Sequence, residues 1–306
     1  MSMILLWGLP LDGPLAAVHE ALKRLEVPVV LLDQREVLRT DIELVVSSKI
    51  EGVVRTCDLT IDLSRVTAVY LRPYDSTRLP NVRTAGSGSS AWYHALRVDD
   101  ALWGWAELTP AVVVNRPTAM ASNNSKPYQS GQIRSFGFRI PDTLITTDPS
   151  AAREFWATYG TVVYKSISSV RSIVARLTPE HMARLDTIAG CPTQFQQYVP
   201  GNDYRVHIVG NAVFACEIVS AADDYRYAGR QGAPVEIRSC ELPNDCAERC
   251  RALAAAIGLS VAGVDLRYTP DGAWYCFEVN PSPGFTYYQE ASKQPINEAI
   301  ARLLAQ

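Results

Sequence analysis

No run of lysine and arginine interrupts this chain of 306 residues, whose formal net charge is −3 at a pI near 5.9. The electrostatic footprint of a DNA- or RNA-binding protein is missing, so no nucleic-acid partner is expected. Nor is there a stretch of about twenty apolar residues, the length a membrane-spanning helix needs. The first residues, MSMILLWGLPLDG, have no basic n-region and only a short apolar run before Gly and Pro, so the expectation is a soluble cytoplasmic protein without a membrane partner. Seven cysteines form no CxxC pair. The closest trio, Cys240, Cys246 and Cys250, lacks a zinc spacing and a neighbouring histidine, so free thiols are expected. What the chain has in quantity is apolar side chains, 47% of its residues, enough for a substantial core spread over two or three lobes.

The first hundred residues read as a small α/β lobe. Strand MILLWG (3–8), a helix over 13–26 with Leu15, Val18, Leu22 and Leu25 on one face, and strand PVVLLD (28–33) imply a parallel sheet. Strand-like runs follow at 43–48, 52–57 and 68–73, the last carrying Arg72 at its end. Arg72 reads either as a residue that steers an anionic substrate or as a surface arginine. The stretch 77–90 lacks periodicity and is rich in Gly and Ser, the composition of a mobile loop. A helix over 91–108 and a strand over 111–115 close the lobe, with Asn115-Arg116-Pro117 as its boundary.

A second unit, 116–193, holds a helix over 123–136, a strand over 140–147, a helix over 149–159 and an apolar strand ended by Lys165. A lysine in that place must reach solvent or meet an anion. The serine-rich turn 166–172 can cradle phosphate or serve as a plain hairpin turn before strand SIVARL, and Lys126 reads equally as a helix-surface lysine. In a third unit, 194–306, strands crowd together at 193–199, 203–210, 212–220 and 234–240, with helices over 244–257 and 292–305. Gln197-Tyr198-Val199, just before Pro200-Gly201, has backbone groups suited to an adenine edge. Asp203 and Arg205 face one way on the next strand, toward a ribose and a phosphate or toward structural partners. His207 reads as an ordinary strand histidine, and Cys216 and Cys276 as core.

The stretch VAGVDLRYTPDGAWYCFEVNP (261–281) reads as a hairpin around the turn residues Thr269-Pro270-Asp271-Gly272. Glu278 and Asn280, two residues apart, share a face. With Asp265 opposite them the hairpin offers two carboxylates and an amide carbonyl, hard ligands suited to Mg²⁺ if waters and phosphate oxygens complete the shell. The same pattern fits a solvated strand face with ordinary surface acids.

Taken in order, NNSKPYQ, GFRIPDTLIT before Asp148-Pro149, VVYKS, FQQYVPGNDYRVHIVG, VAGVDLRYTPDG and FEVNPSPGF resemble the ATP-grasp superfamily of carboxylate–amine ligases. The likeness runs from about residue 112 to the end. The stretches 111–149 and 261–306 are most similar to the RimK-type branch that includes graspetide (microviridin-like) peptide-maturation ligases. The resemblance implies a mixed α/β and α+β architecture, the ATP-grasp fold: an N-terminal α/β lobe (1–115), then a central (116–193) and a C-terminal (194–306) α+β subdomain that clamp ATP with Mg²⁺. It implies that Lys126 and Lys165 hold phosphates, that Gln197, Tyr198 and Val199 form the adenine hinge, and that Asp203 meets the ribose. Arg205 then lies near the transferred phosphate, sharing the catalytic role with Lys165, and Asp265, Glu278 and Asn280 are the metal ligands. The implied activity activates a carboxylate as an acyl phosphate and joins it to an amine or hydroxyl, on a small molecule or a precursor peptide. A kinase on the same scaffold and a nucleotide-binding module without chemistry are the alternatives, and a homodimer is left open.

Two features depart from the branch. The loop after Lys165 has no glycine, and Phe285-Thr286-Tyr287-Tyr288 stands where peptide maturases carry a Trp-rich segment ending in Glu. That aromatic tract, Tyr287 above all, is expected to face the substrate together with the 77–90 loop and Arg72. The competing expectation packs Phe285 and Tyr287 under the last helix.

Overall fold

The computed structural model describes residues 2–167, 174–220 and 234–306. Most of the serine-rich turn, and the start of the strand expected after it, lie outside the described residues. The alternation read from the sequence produces β1 (Met3–Gly8), α1 (Gly13–Arg24) and β2 (Val29–Asp33), with β1 and β2 parallel. The Asp12 side chain caps α1 by accepting from the Leu15 N–H, and Leu15, Val18, Ala21 and Leu22 bury its inner face. Strands β3 (Asp41–Val46), β4 (Ile50–Arg55) and β5 (Thr60–Asp62) form a separate antiparallel sheet. β6 (Val66–Arg72) then returns beside β1.

The expected loop at 77–90 is instead mostly helical. Pro80 opens α2 (Pro80–Ala85), and Ser89 caps α3 (Ser90–Leu108) by accepting from the Trp92 N–H. Gly86 and Gly88, at φ of 89° and 81°, supply the left-handed reversal between the two helices. Glycine and serine at this place serve helix ends, not a mobile stretch. β7 (Val112–Val114) completes the parallel sheet in the order β2-β1-β6-β7.

The next segment begins with α4 (Pro117–Met120), a 3₁₀ turn over Ala121–Asn124 and α5 (Lys126–Ser135), so the expected helix over 123–136 starts late, at the cap Ser125. Strands β8 (Thr143–Thr146), β9 (Val162–Ser166), β10 (Ala175–Arg176) and β11 (Thr193–Gln197) form an antiparallel sheet in the order β10-β9-β11-β8. α6 (Pro149–Tyr159) covers one face through Ala152, Val162, Leu185 and Phe195, and α7 (Pro179–Ala183) follows β10. The last sheet, all antiparallel, has the order β14-β13-β12-β15-β16, from β12 (Asn202–Val209), β13 (Ala212–Ser220), β14 (Val235–Cys240), β15 (Val261–Tyr268) and β16 (Trp274–Asn280). α8 (Asn244–Ala256) and α5 back it through Cys246, Cys250, Leu253 and Ile133, packed on Val206, Val264, Cys276 and Val279. Cys216 is also buried, and all seven cysteines are free thiols.

The aromatic tract is not extended. It begins α9 (Thr286–Ser292), which is followed by α10 (Ile296–Leu304). Phe285 is fully buried beneath α10 with Ile296 and Ile300, in the core that also holds Leu15 and Val18 of α1. The second aromatic turned inward is Tyr288, 7% exposed, whereas Tyr287 is 55% exposed. A helical period selects 285 and 288, while the strand period assumed from sequence selects 285 and 287. Among the described residues no helix is long and apolar enough to cross a membrane.

One asparagine ties the two halves together. Asn115 is 2% exposed; its Nδ2 donates to the carbonyls of Val261 and Pro281, and its Oδ1 accepts from the N–H groups of Ser260 and Val261. All its hydrogen-bonding capacity is thus spent on the ends of β15 and β16. Its neighbour Arg116 donates to the carbonyls of Ala106, Glu107, Thr109 and Ala111, satisfying the open end of α3.

A buried polar chain fixes the segment after β6. Gln34 bonds both backbone groups of Tyr74 and donates to Ser76 Oγ, and Ser76 donates its Oγ–H and N–H to the carboxylate of Asp99 on α3. Burial, reinforced by Asp75 and Asp100, pushes the Asp99 carboxyl up to about 6 against the pull of the Ser76 bonds. A carboxyl raised in the fold favours the native state when protonated, so its contribution is greatest below the unfolded value and declines as pH rises toward about 6. Asp99→Asn removes that dependence. Compared by urea denaturation at about pH 5 and about pH 7.5, the variant gains stability relative to wild type on going to the higher pH; a constant difference shows that Asp99 is not raised.

Candidate active site

The outer face of the β12-β15-β16 ribbon carries the charged residues, because their spacing of two repeats across three paired strands. Asp203 stands opposite Arg267, Arg205 opposite Asp265 and His207 opposite Gly263. Asp265 in turn pairs with Glu278, and Gly263 with Asn280. Between Asp265 and Leu266 the register slips by one. This bulge returns Cys276 to the core while Phe277 and Glu278 both line the cleft.

That cleft is walled by Val163, Lys165, Gln196 to Val199, Asp203, Tyr204, Asp265, Arg267, Phe277 and Glu278. It therefore gathers the two sheets and most of the residues singled out in the sequence. Lys126 joins through an ion pair from its Nζ to Glu278 Oε1 at 2.5 Å, and Arg205 through Nη1 to Asp265 Oδ1 at 2.6 Å. Burial opposes ionisation of Glu278, yet Lys126, Lys165 and Arg205 outweigh it and hold the carboxyl below its ordinary value. Asn280 lies one pair further along on the same face, its Oδ1 accepting from the Ser282 N–H at 2.9 Å.

The hinge segment is built into the sheets on both sides. The N–H groups of Gln197 and Tyr198 donate to the carbonyls of Asp142 and Thr161, and the Val199 carbonyl accepts from Arg267 Nη1. The same guanidinium grips Asp203 with two parallel bonds of 2.7 and 2.9 Å. Gly201, at φ 148°, passes so close to β15 that a Cβ would overlap the Tyr268 carbonyl.

Arg72 and Tyr287 stand apart from this cleft. The Arg72 guanidinium is met by Asp12 and donates to Ser282 Oγ and the Pro283 carbonyl, beside a second cavity lined by Leu9, Leu71, Tyr74, Trp103 and Met120. Its charge is thus answered within the fold, by a bond between the first lobe and the loop after Asn280. Tyr287 packs edge-on against Tyr288 on the outer side of α9.

Sequence reasoning missed Arg267, Phe277, Gln129 and Asn115. Arg267 was within reach, since it follows Asp265 by two and must share its face. Gln129 follows Lys126 by three on α5, and its amide bonds both the N–H and the C=O of Val279 at 3.0 and 2.8 Å. That pairing sets Lys126 over Glu278. Chemically, Asp265, Glu278 and the Asn280 carbonyl form a hard oxygen set that fits Mg²⁺. Among the described residues no three His, Cys, Asp or Glu side chains form a metal cluster, so an ion held here would draw further oxygens from phosphate and water. Lys126, Lys165 and Arg205 suit the phosphates themselves.

The model of the RimK-like ATP-grasp domain matches residues 131–304. No curated protein sequence matches the chain. Among solved structures it is similar to the macrocyclase MdnC of Microcystis aeruginosa MRC bound with precursor peptide MdnA, at a TM-score of 0.84 and 21% identity over 99% of each chain. A RiPP-associated ATP-grasp ligase of Chryseobacterium gregarium, in complex with ADP and a leader and core peptide, gives 0.82 and 22% over 100% of this chain and 97% of that one. The ATP-grasp ligase PsnB, complexed with a phosphomimetic variant of a minimal precursor, Mg and ADP, gives 0.82 and 23% over 99% and 97%. These likenesses establish the ATP-grasp fold.

Because Gln129 is 2% exposed and bonds the backbone of the residue beside Glu278, Gln129→Leu leaves the Val279 N–H and C=O buried without a partner. A loss of about 2–4 kcal/mol in unfolding free energy is expected by urea denaturation. A change under about 0.5 kcal/mol shows that water replaces the amide there.

Proposed function

This chain belongs to the RimK-like ATP-grasp family, and from that premise we propose that it uses ATP to join a carboxylate to an amine or hydroxyl on a ribosomally made precursor peptide. The observation that carries the reading is the row Arg205, Asp265, Glu278 on one strand face, with Lys126 and Lys165 directed to the same cleft. Support for a peptide comes from the similar structures, three of which are described with precursor or leader and core peptides.

In this reading a carboxylate oxygen of the substrate attacks the γ-phosphorus of ATP, the bond to the β-bridging oxygen breaks, and ADP leaves. The amine or hydroxyl then adds to the acyl carbon, loses its proton and expels phosphate, so an amide or ester forms. When bound between Asp265, Glu278 and Asn280, Mg²⁺ supplies charge neutralisation on the phosphates. The chain's own work is positioning and electrostatics, which is most of what phosphoryl transfer asks of a protein. Lys126 and Lys165 hold phosphate oxygens, with Lys165 bearing on the transferred group together with Arg205. Asp203, locked by Arg267, presents its carboxylate to the ribose. Because the Gln197 and Tyr198 N–H groups are spent within the sheets, the base is read in this proposal by the Val199 N–H. The lobes divide functionally as 1–115, 116–193 and 194–306, with β11 passing from the β10-β9-β11-β8 sheet into the hinge.

The test offers Mg²⁺, ATP and candidate precursor peptides encoded near the gene, and weighs the products. Ligation gives a peptide lighter by one water per bond with matching phosphate release. A kinase instead gives a peptide heavier by one phosphoryl group, and a binding module gives no ADP. Either of those outcomes overturns the proposal. Glu278→Gln, which keeps volume and removes a charge, lowers turnover by ~10² to 10³ with the fold intact; activity within a few-fold of wild type removes Glu278 from the metal site. Lys165→Ala weakens ATP binding as well, since it takes a cation from the phosphates in the ground state. Unchanged ATP affinity in that variant removes Lys165 from the phosphate site.

A further inference from the structure

Arg205 is held in an unusual enclosure for a residue meant to act on a ligand. Its side chain is only 7% exposed, and one terminal nitrogen is fixed by Asp265. Its Nε points at His207 Nε2 at 3.4 Å, and the guanidinium carbon lies 5.5 Å from the centre of the Tyr288 ring. The His207 and Tyr288 rings meet at 5.2 Å with 58° between their planes. Beneath the guanidinium, Gly263 keeps the strand bare, for a Cβ there would overlap Arg205 Nη2 and Pro283 Cβ.

The chemistry of these contacts fixes protonation as well as place. Arginine offers donors only, so the imidazole nitrogen facing it must accept, and His207 is the neutral tautomer with its proton on Nδ1. Burial and the neighbouring Arg205 charge both favour that neutral form. A planar cation with one end on Asp265, its Nε on a neutral imidazole and its central carbon over a phenol ring has little freedom to turn.

Resting on the nucleotide reading of Arg205 given above, we propose that His207 and Tyr288 are positioning residues that orient the Arg205 guanidinium toward the γ-phosphate of ATP. Neither touches the nucleotide; both act through Arg205. The inward turn of α9 delivers Tyr288, so the aromatic tract serves the phosphate end of the cleft from behind. An orienting role of this kind appears as discrimination between nucleotides that have and lack the γ-phosphate, because only the terminal phosphate feels where Arg205 points.

The experiment measures the affinities of Mg-AMPPNP and Mg-ADP by calorimetry for the full chain and five variants, and so needs no knowledge of the acceptor. Arg205→Met should weaken Mg-AMPPNP relative to Mg-ADP. Tyr288→Leu and His207→Leu should weaken Mg-AMPPNP by roughly tenfold, the scale of a partly desolvated cation–π contact, while Mg-ADP stays within about twofold. Tyr288→Phe, which keeps the ring, should behave as wild type. If Tyr288→Leu does not fold, Tyr288→Met fills the same space without a ring face and takes its place. A changed ratio in Arg205→Met with unchanged ratios in the Tyr288 and His207 variants overturns the proposal alone. Equal weakening of both nucleotides in those variants also overturns it, since that is what mere structural damage does. An unchanged ratio in Arg205→Met overturns the nucleotide role of Arg205 and the positioning proposal with it.

Discussion

Two carboxylates stand opposite each other across β15 and β16, and much of the surrounding structure answers the repulsion between them. Asp265 and Glu278 are cross-strand partners, the arrangement in which like charges destabilise a sheet. Each is therefore matched by its own cation, Arg205 from β12 and Lys126 from α5. Those cations carry requirements of their own. Arg205 fits only because residue 263 has no side chain, and Lys126 is placed only because Gln129 bonds α5 to the backbone beside Glu278. A charge conflict that a structural strand would avoid is kept here at the expense of four supporting residues, as the proposed magnesium and phosphate ligands, which bring both signs of charge, would require.

The first lobe is bound to that site through the backbone. Asn115 joins the starting end of β15 to Pro281, the residue after Asn280, and Arg72 joins the end of β6 to Ser282 and Pro283. The core tells the same story: α1 of the first lobe and α10 at the end of the chain share one apolar cluster with Phe285 between them. Displacing the segment 281–285 would thus disturb the parallel sheet and the carboxylate pair together. The cavity beside Arg72 opens on this same junction, at the C-terminal edge of β1 and β6, where open parallel sheets place their ligands.

What was legible in the sequence follows physical range. The hairpin and its ligand face could be read because strand geometry has a strict period of two and the turn residues are local. The same period misled at two points. It could not show the slip at Phe277, since a bulge is decided by the opposing strand. It also paired Tyr287 with Phe285 in the competing core expectation, whereas α9, beginning at Thr286, turns Tyr288 inward and leaves Tyr287 exposed. The 77–90 stretch was misjudged on composition, although Pro80 and Ser89 mark helix starts. Gln129 and Asn115 were beyond reach, because an amide that bonds a backbone 146 or 150 residues away leaves no local trace.

The hinge side of the cleft shows how rigidity is distributed. Arg267 bonds Asp203 with two donors and the Val199 carbonyl with a third, so the carboxylate assigned to the ribose and the segment assigned to the base are held by one side chain. The Phe277 ring lies 5.2 Å from that guanidinium, brought there by the bulge. Losing Arg267 would leave Asp203 a partly buried charge without its main partner and free the Val199 carbonyl at once. In the proposed reading the nucleoside end is organised by one arginine and the phosphate end by another, Arg205, and both sit on adjacent strands two residues from a carboxylate they do not pair with. Because β12 and β15 are hydrogen-bonded over their whole length, the spacing between the two arginines is set by strand geometry and does not depend on any loop. In the proposed reading the cleft floor is thus a fixed ruler for the nucleotide.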